Sequence, residues 1–290
     1  MFARVLAVTV ACFSIGAVLM LLQRRGAVPR RPTSWRKYGV YVLFVIGMLA
    51  LARIGAILYA LSMLGILAMA LLEFRHVVGL RGRAAVGLVG AGLTVALVAL
   101  LAGSSSLYAV VVMWALVMIA AAALSHDPRG DMWHTAWSVT GFIAIGASGA
   151  HLLLLAQHPD RFPCFAFLFL VVCGGDAFAE LVGRRWPMGR GFIQASPNKT
   201  LSGVAGGVVA ALIIGLAVNA AVGFRVAGIA AVIALAVTIA GMMGDLVASG
   251  LKRTFGVKDF ATALPGHGGV LDRVDSLLFA APPFYWLIRG

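Results

Sequence analysis

The sequence predicts an all-α polytopic membrane protein: a transmembrane helical bundle of nine to ten spans, with its chemistry at the cytoplasmic membrane face. Three observations predict it. Of 290 residues, 62% are hydrophobic and only 11% charged, whereas a soluble domain carries about 25% charged residues. Mean hydropathy is +1.01, more apolar surface than globular packing can hide from water. The apolar residues also come in long runs, and the cations sit in the short loops between them.

A spanning helix needs about 20 mostly apolar residues. Candidate spans cover 4–22, 38–53, 54–72, 84–102, 107–124, 134–156, 163–182, 201–222, 226–248 and 274–288. The first follows Arg4 and ends at Arg24-Arg25, with no small-residue cleavage site after it, so it reads as a retained span. Region 38–72 is too long for one ordinary span and short for two, with Arg53 at its middle. Loop charge arbitrates. Ten spans with the N-terminus outside place 18 of the 23 Lys and Arg residues in cytoplasmic loops and 5 on the other side. One helix over 38–72 would put the first basic loop opposite the rest, so the positive-inside rule favours two helices or a broken hairpin. Nine spans with a re-entrant piece is the alternative. Residues 1–160 then form six N-terminal spans, and 161–290 form the region that carries most of the chemistry.

The net charge of +13 does not mark a nucleic-acid binder, because the cations lie in short loops and not along a groove. Cys12, Cys164 and Cys173 lie in apolar runs with no close pair, so neither a disulfide nor a metal role is expected. The 23–37 loop, with Arg30 and Arg31 between Pro29 and Pro32, reads as a solvated basic segment that touches anionic lipid. Gly203, Gly206 and Gly207 read as a helix-packing face. The 162–169 run, rich in Phe, reads as lipid-facing or packing; Asp127, Arg129 and Asp131 read as a solvated turn; Glu73 reads as a partner of Arg75, with support of the site as the alternative.

Ionisable side chains inside spans are costly and mark candidate sites. Asp176 and Glu180 lie four apart on one helix face, Asp245 ends the ninth span, and Asp272 and Asp275 start the tenth. The topology puts all of them at one level. Clustered carboxylates need a cation, and their oxygens suit a hard ion such as magnesium; pairing with neighbouring arginines is the simpler reading. Lys199 sits in Ser196-Pro197-Asn198-Lys199-Thr200, just before a helix start where a phosphate can bind, though the same residues suit a plain cap. Pro265-Gly266-His267-Gly268-Gly269 is a turn that lets backbone approach a ligand, and it lacks the Walker pattern.

The 27 residues from Ser249 to Asp275 resemble a known signature. Ser249, Leu251, Lys252-Arg253, Lys258-Asp259, Pro265, His267-Gly268-Gly269, Asp272-Arg273 and Asp275 fill every fixed position of the phosphatidate cytidylyltransferase (CDP-diacylglycerol synthase) pattern. Asp176, Gly183-Arg184, the 196–200 block and Gly244-Asp245 also look like that family, so the likeness runs over roughly 165–288. It implies that CTP and phosphatidate give CDP-diacylglycerol and pyrophosphate with magnesium, in an inner membrane, on a protein that forms homodimers. By resemblance, Asp245 and Asp272 hold the metal. Lys252, Arg253, Lys258, Asp259, His267, Arg273 and Asp275 serve catalysis, and Asp176, Ser196, Lys199, Thr200, Ser249, Gly268 and Gly269 bind substrate. Glu180 and Ser202 depart from the family's usual Tyr and its acid or Gln, which leaves open another lipid phosphate of isoprenoid type. A transporter would place polar groups at the midplane of paired halves, a pattern absent from this sequence.

Overall fold

A backbone inside lipid has no water to bond, so each apolar run satisfies its own N–H and C=O groups and folds as a helix. The computed structural model describes residues 1–24, 35–125, 127–261 and 268–289. The first five helices are single rods: α1 (Phe2–Arg24), α2 (Trp35–Ile54), α3 (Ala56–Val78), α4 (Gly82–Leu101) and α5 (Ser104–Ala123). The sixth rod is composite. α6 (Pro128–Gly141) runs through a π-turn at Phe142–Ala147 into α7 (Ser148–Leu154) and a closing 3-10 turn at Leu155–Gln157. α8 (Arg161–Arg185), α9 (Leu201–Val222), α10 (Ala227–Thr254) and α11 (Leu271–Arg289) complete the bundle.

Among the described residues, eight rods are long and apolar enough to cross a membrane, and Tyr38–Ile54 is a shorter apolar helix. The 38–72 region is two helices, broken at Gly55, whose backbone is extended. α11, expected as a span over 274–288, falls outside the eight because Asp272, Arg273, Asp275 and Arg289 dilute its apolar length. It still packs as the tenth rod, against α10, α7, α8 and α3. The Asp127–Asp131 segment is not a free turn. Asp127 caps α6, its carboxylate accepting from Gly130 N–H at 3.3 Å, and Arg129 and Asp131 already belong to the helix.

The core sits on the first half of α8, where every residue from Phe162 to Val172 is buried. A helix that is apolar all round belongs at the centre of a bundle, so the aromatic run is packing and not lipid-facing. Phe165 meets Tyr59 with ring centroids 5.0 Å apart and stacks on Phe169 at 5.1 Å. Tyr59, fully buried, donates its hydroxyl to Leu152 O at 2.9 Å and so ties α3 to α7. The outer surface is apolar too: Leu43, Ile57, Val86 and Leu101 are 73%, 75%, 73% and 77% exposed. Oil inside and oil outside is the signature of lipid as solvent.

Small residues set how closely the rods approach. α9 lies against α8 with Gly203 and Gly207 at the contact. A Cβ on Gly203 would fall 2.7 Å from Ala179 O and 3.2 Å from Gly183 Cα; one on Gly207 would fall 2.9 Å from Gly175 O. α10 meets α11 at Gly244, where a Cβ would fall 2.7 Å from Asp275 O. These approaches draw the charged ends of α8, α10 and α11 together.

Gly203→Ala is expected to lower stability by about 1–3 kcal/mol through overpacking, read as a fall in the detergent-solubilised melting temperature. Gly47→Ala is the control. A Cβ there meets nothing within 4 Å, so it should leave the melting temperature unchanged or raise it, alanine being the better helix former by about 1 kcal/mol.

Candidate active site

A carboxylate taken out of water has to find donors. Asp272, in the first turn of α11, finds three. Its Oδ1 meets Lys252 Nζ at 2.6 Å, and its Oδ2 accepts from Phe260 N–H and Gly269 N–H, both at 2.9 Å. The pair is enclosed, with 13% of the Lys252 side chain and 5% of the Asp272 side chain exposed. Lys252 reaches this point from the last turn of α10, where a cation also suits the helix dipole. Its ammonium lies 5.2 Å from the ring centroid of Phe260, which is buried.

A second pair lies beside the first. Lys199, from the loop before α9, contacts Asp245 Oδ2 on α10 at 2.7 Å. The Asp245 side chain is 35% exposed, and among the described residues its Oδ1 has only a long 3.5 Å contact from the Ser249 hydroxyl. Asp176 on α8 and Asp275 on α11 lie close enough to Asp245 and to each other for their charges to interact. Asp275 is buried and accepts from Ser276 N–H at 2.7 Å. Carboxylates from three helices and amines from two segments therefore meet at one end of the bundle.

The remaining expected residues fall around this centre in different ways. Arg253, Lys258, Asp259 and Arg273 are exposed at the same end. Gly268 adopts φ +79°, open to glycine and strained for other residues, and a Cβ there would crowd Asp272 and Asp259. Ser196 accepts from Lys199 N–H at 3.0 Å through its carbonyl, turning the chain so that the lysine points at Asp245. The buried Thr200 hydroxyl accepts from Gly203 N–H at 3.0 Å, so its side chain is the cap of α9. The roles expected of His267 and Pro265 fall outside the described residues.

Phe260 escaped the sequence reading, and Glu73 stood in it as a support of the site only behind a pairing with Arg75. Phe260 looks like any loop aromatic until the fold buries it beneath Lys252. Glu73 was expected to pair with Arg75, but residues two apart on a helix face away from each other. Glu73 is buried and Arg75 exposed, and the Glu73 oxygens accept from Val270 N–H and Leu271 N–H, each at 2.8 Å. An acid at the end of an apolar run with no cation three or four residues away was the available signal.

Among the described residues, no three His, Cys, Asp or Glu side chains form a closed metal cage. Magnesium does not require one; it uses one or two carboxylates and completes its shell with water and phosphate. Asp245, with an oxygen to spare and Asp176 and Asp275 nearby, offers such a set. Both oxygens of Asp272 already have donors.

Removing one partner of a buried pair strands the other. Asp272→Ala should cost about 3–5 kcal/mol of stability, whereas Glu180→Ala, which breaks the exposed pair with Arg184, should cost no more than about 1 kcal/mol. Chemical denaturation of the two variants side by side checks the contrast.

Residues 35–289 match the model of the cytidylyltransferase family. The chain is 36% identical over 144 residues to a phosphatidate cytidylyltransferase of Staphylococcus haemolyticus, covering 49% of this chain and 50% of that one. It is 38% identical over 120 residues to the Bacillus subtilis phosphatidate cytidylyltransferase, covering 41% and 45%. The uncharacterised Escherichia coli protein YnbB is 35% identical over 182 residues, 60% of each chain. The matches thus span 45% to 60% of these relatives' length. With a family match running through nearly all of its helices and over both ion pairs, the chain belongs to the cytidylyltransferase family.

Proposed function

We propose that the chain is a CTP:phosphatidate cytidylyltransferase of phospholipid biosynthesis, working at the cytoplasmic face of an inner membrane. One observation carries the reading: Lys199–Asp245 and Lys252–Asp272 sit side by side at one end of an apolar bundle. A lipid phosphate reaches that depth from the headgroup layer, and a nucleotide reaches it from water. The excess of Lys and Arg in the loops at that end supports a cytoplasmic orientation.

In this reading an oxygen of the phosphatidate phosphate attacks the α-phosphorus of CTP. The bond from that phosphorus to the bridging oxygen breaks in line, and pyrophosphate leaves with the electron pair. The product is CDP-diacylglycerol. The nucleophile is already an anion, so the protein's task is positioning and charge neutralisation and not proton removal. Lys199 and Lys252 point into the site and hold carboxylates that phosphate oxygens can replace. Arg253 and Lys258, exposed at the rim, receive the triphosphate from solvent. The Thr200 cap fixes the start of α9, so that the preceding turn aims Lys199 inward.

Magnesium fits the available donors, with Asp245 as the principal holder and Asp176 and Asp275 as support. When bound, it would supply charge neutralisation to the phosphates and orientation to the leaving pyrophosphate. Asp272 can join this set only if Lys252 lets go of it. A second reading, transfer to an isoprenoid-type phosphate, draws on Glu180 and Ser202. Both stand beside the 186–200 loop, Glu180 paired with Arg184 and Ser202 donating to Trp186 O and toward Thr200.

Radiolabelled CTP should enter chloroform-extractable lipid when phosphatidate and magnesium are both supplied, and chelation should stop it. Asp245→Asn should lower turnover by about 10²-fold or more, the scale of losing one electrostatic contact to a transition state, with the melting temperature little changed. Label entering only an isoprenoid phosphate would favour the second reading. No lipid labelling from any phosphate would overturn both.

A further inference from the structure

Glu73 belongs to α3, yet it bonds to residues 197 and 198 positions away. We infer that Glu73 is a positioning residue for the reaction: from across the bundle, its carboxylate fixes the backbone that carries Asp272 and, through Asp272, the ammonium of Lys252. The inference rests on the activity proposed above for what that ammonium does, and on the geometry alone for how it is held.

The first turn of a helix presents free N–H groups and the positive end of the dipole, a ready seat for an anion. At the start of α11 the seat is filled from within. Glu73 Oε1 accepts from Val270 N–H and Oε2 from Leu271 N–H, each at 2.8 Å. Gly269 N–H goes to Asp272 Oδ2 at 2.9 Å, and Arg273 N–H to Val270 O at 2.9 Å. Two carboxylates thus take three consecutive backbone donors. A substrate phosphate is not needed at this helix end, which leaves the lysines as its seats.

Gly269 makes the arrangement possible. A Cβ on it would run into the Glu73 carboxylate and fall 3.0 Å from Ala261 N. Asp272 also accepts from Phe260 N–H at 2.9 Å. Asp272 therefore holds the segments on both sides of residues 262–267, and Glu73, from α3, holds the second of them. Glu73 touches neither lysine. A shift of it reaches Lys252 through the Val270–Leu271 backbone and Asp272, which makes it a positioning residue and not a catalytic one.

The test uses the full chain in lipid nanodiscs, with Glu73→Gln as the first variant and Glu73→Ala as the harsher one. Glutamine keeps the shape but offers one acceptor where two are needed. Hydrogen exchange at the 270 and 271 amides should speed up roughly tenfold or more, in keeping with losing a hydrogen bond to a charged group, while amides in the middle of α9 keep wild-type rates. In the labelled-CTP assay kcat should fall about 10- to 100-fold, the usual effect of slight misplacement, with KM for the lipid phosphate within about twofold. Wild-type exchange at 270 and 271 in Glu73→Gln would overturn the contact. Faster exchange with wild-type kcat would overturn the positioning role and leave only a helix cap. If wild-type protein itself labels no lipid, the proposed activity falls while the exchange arm still judges the contact. Should Glu73→Ala not fold, Glu73→Gln alone decides.

Discussion

The enclosed acids at the working end of this protein, Asp272 and Glu73, answer one constraint: a carboxylate in a low-dielectric setting must be surrounded by donors. Asp272 states it most fully. Its two oxygens recruit an ammonium from α10, a backbone N–H from the loop after α10 and another from the turn before α11. Three chain segments are thereby tied to one side chain. A buried pair of this kind contributes little net stability compared with an apolar substitute, but it penalises every arrangement in which one partner is missing. The apolar mass of the bundle supplies the stability. The acids supply the uniqueness of the arrangement.

That arrangement depends in turn on how closely the rods approach. Without a side chain at Gly203, Gly207 and Gly244, α8 and α9, and likewise α10 and α11, come nearly backbone to backbone. The acids on α8, α10 and α11 then fall within reach of one another, and their repulsion has to be offset by Lys199 and Lys252. Packing and electrostatics are therefore one design. The small residues bring the charges together, and the lysines make the result tolerable.

Much of this could be read before the fold was known, and the reasons are local. Apolar run length marks spans because lipid permits few alternatives, so α1, α4, α8, α9 and α10 fell close to where the sequence put them. Asp245 and Asp272 stood out because acids next to apolar runs are rare. What could not be read was pairing across distance. Nothing near Glu73 points to Val270, and nothing near Phe260 says that Lys252 will lie over it. Thr200 was ambiguous for a different reason, since a hydroxyl at a helix start suits a cap and a phosphate equally. The π-turn in the sixth rod left no readable mark on the 142–147 sequence. Helix face, distance in space and commitment of a donor are three-dimensional facts, and composition carries them only weakly.

The two ends of the bundle are fastened differently. Away from the acids, Arg161 Nε donates to Ala52 O at 3.2 Å, Gln157 to Ala99 O at 3.0 Å and Arg225 to Ile288 O at 2.5 Å. Those acceptors are main-chain carbonyls, which hold with no charge to balance, while the opposite rim is held by ion pairs, each of which fails if either charge is lost. α10 has 28 residues, so at 1.5 Å per residue it runs about 42 Å from the one kind of fastening to the other.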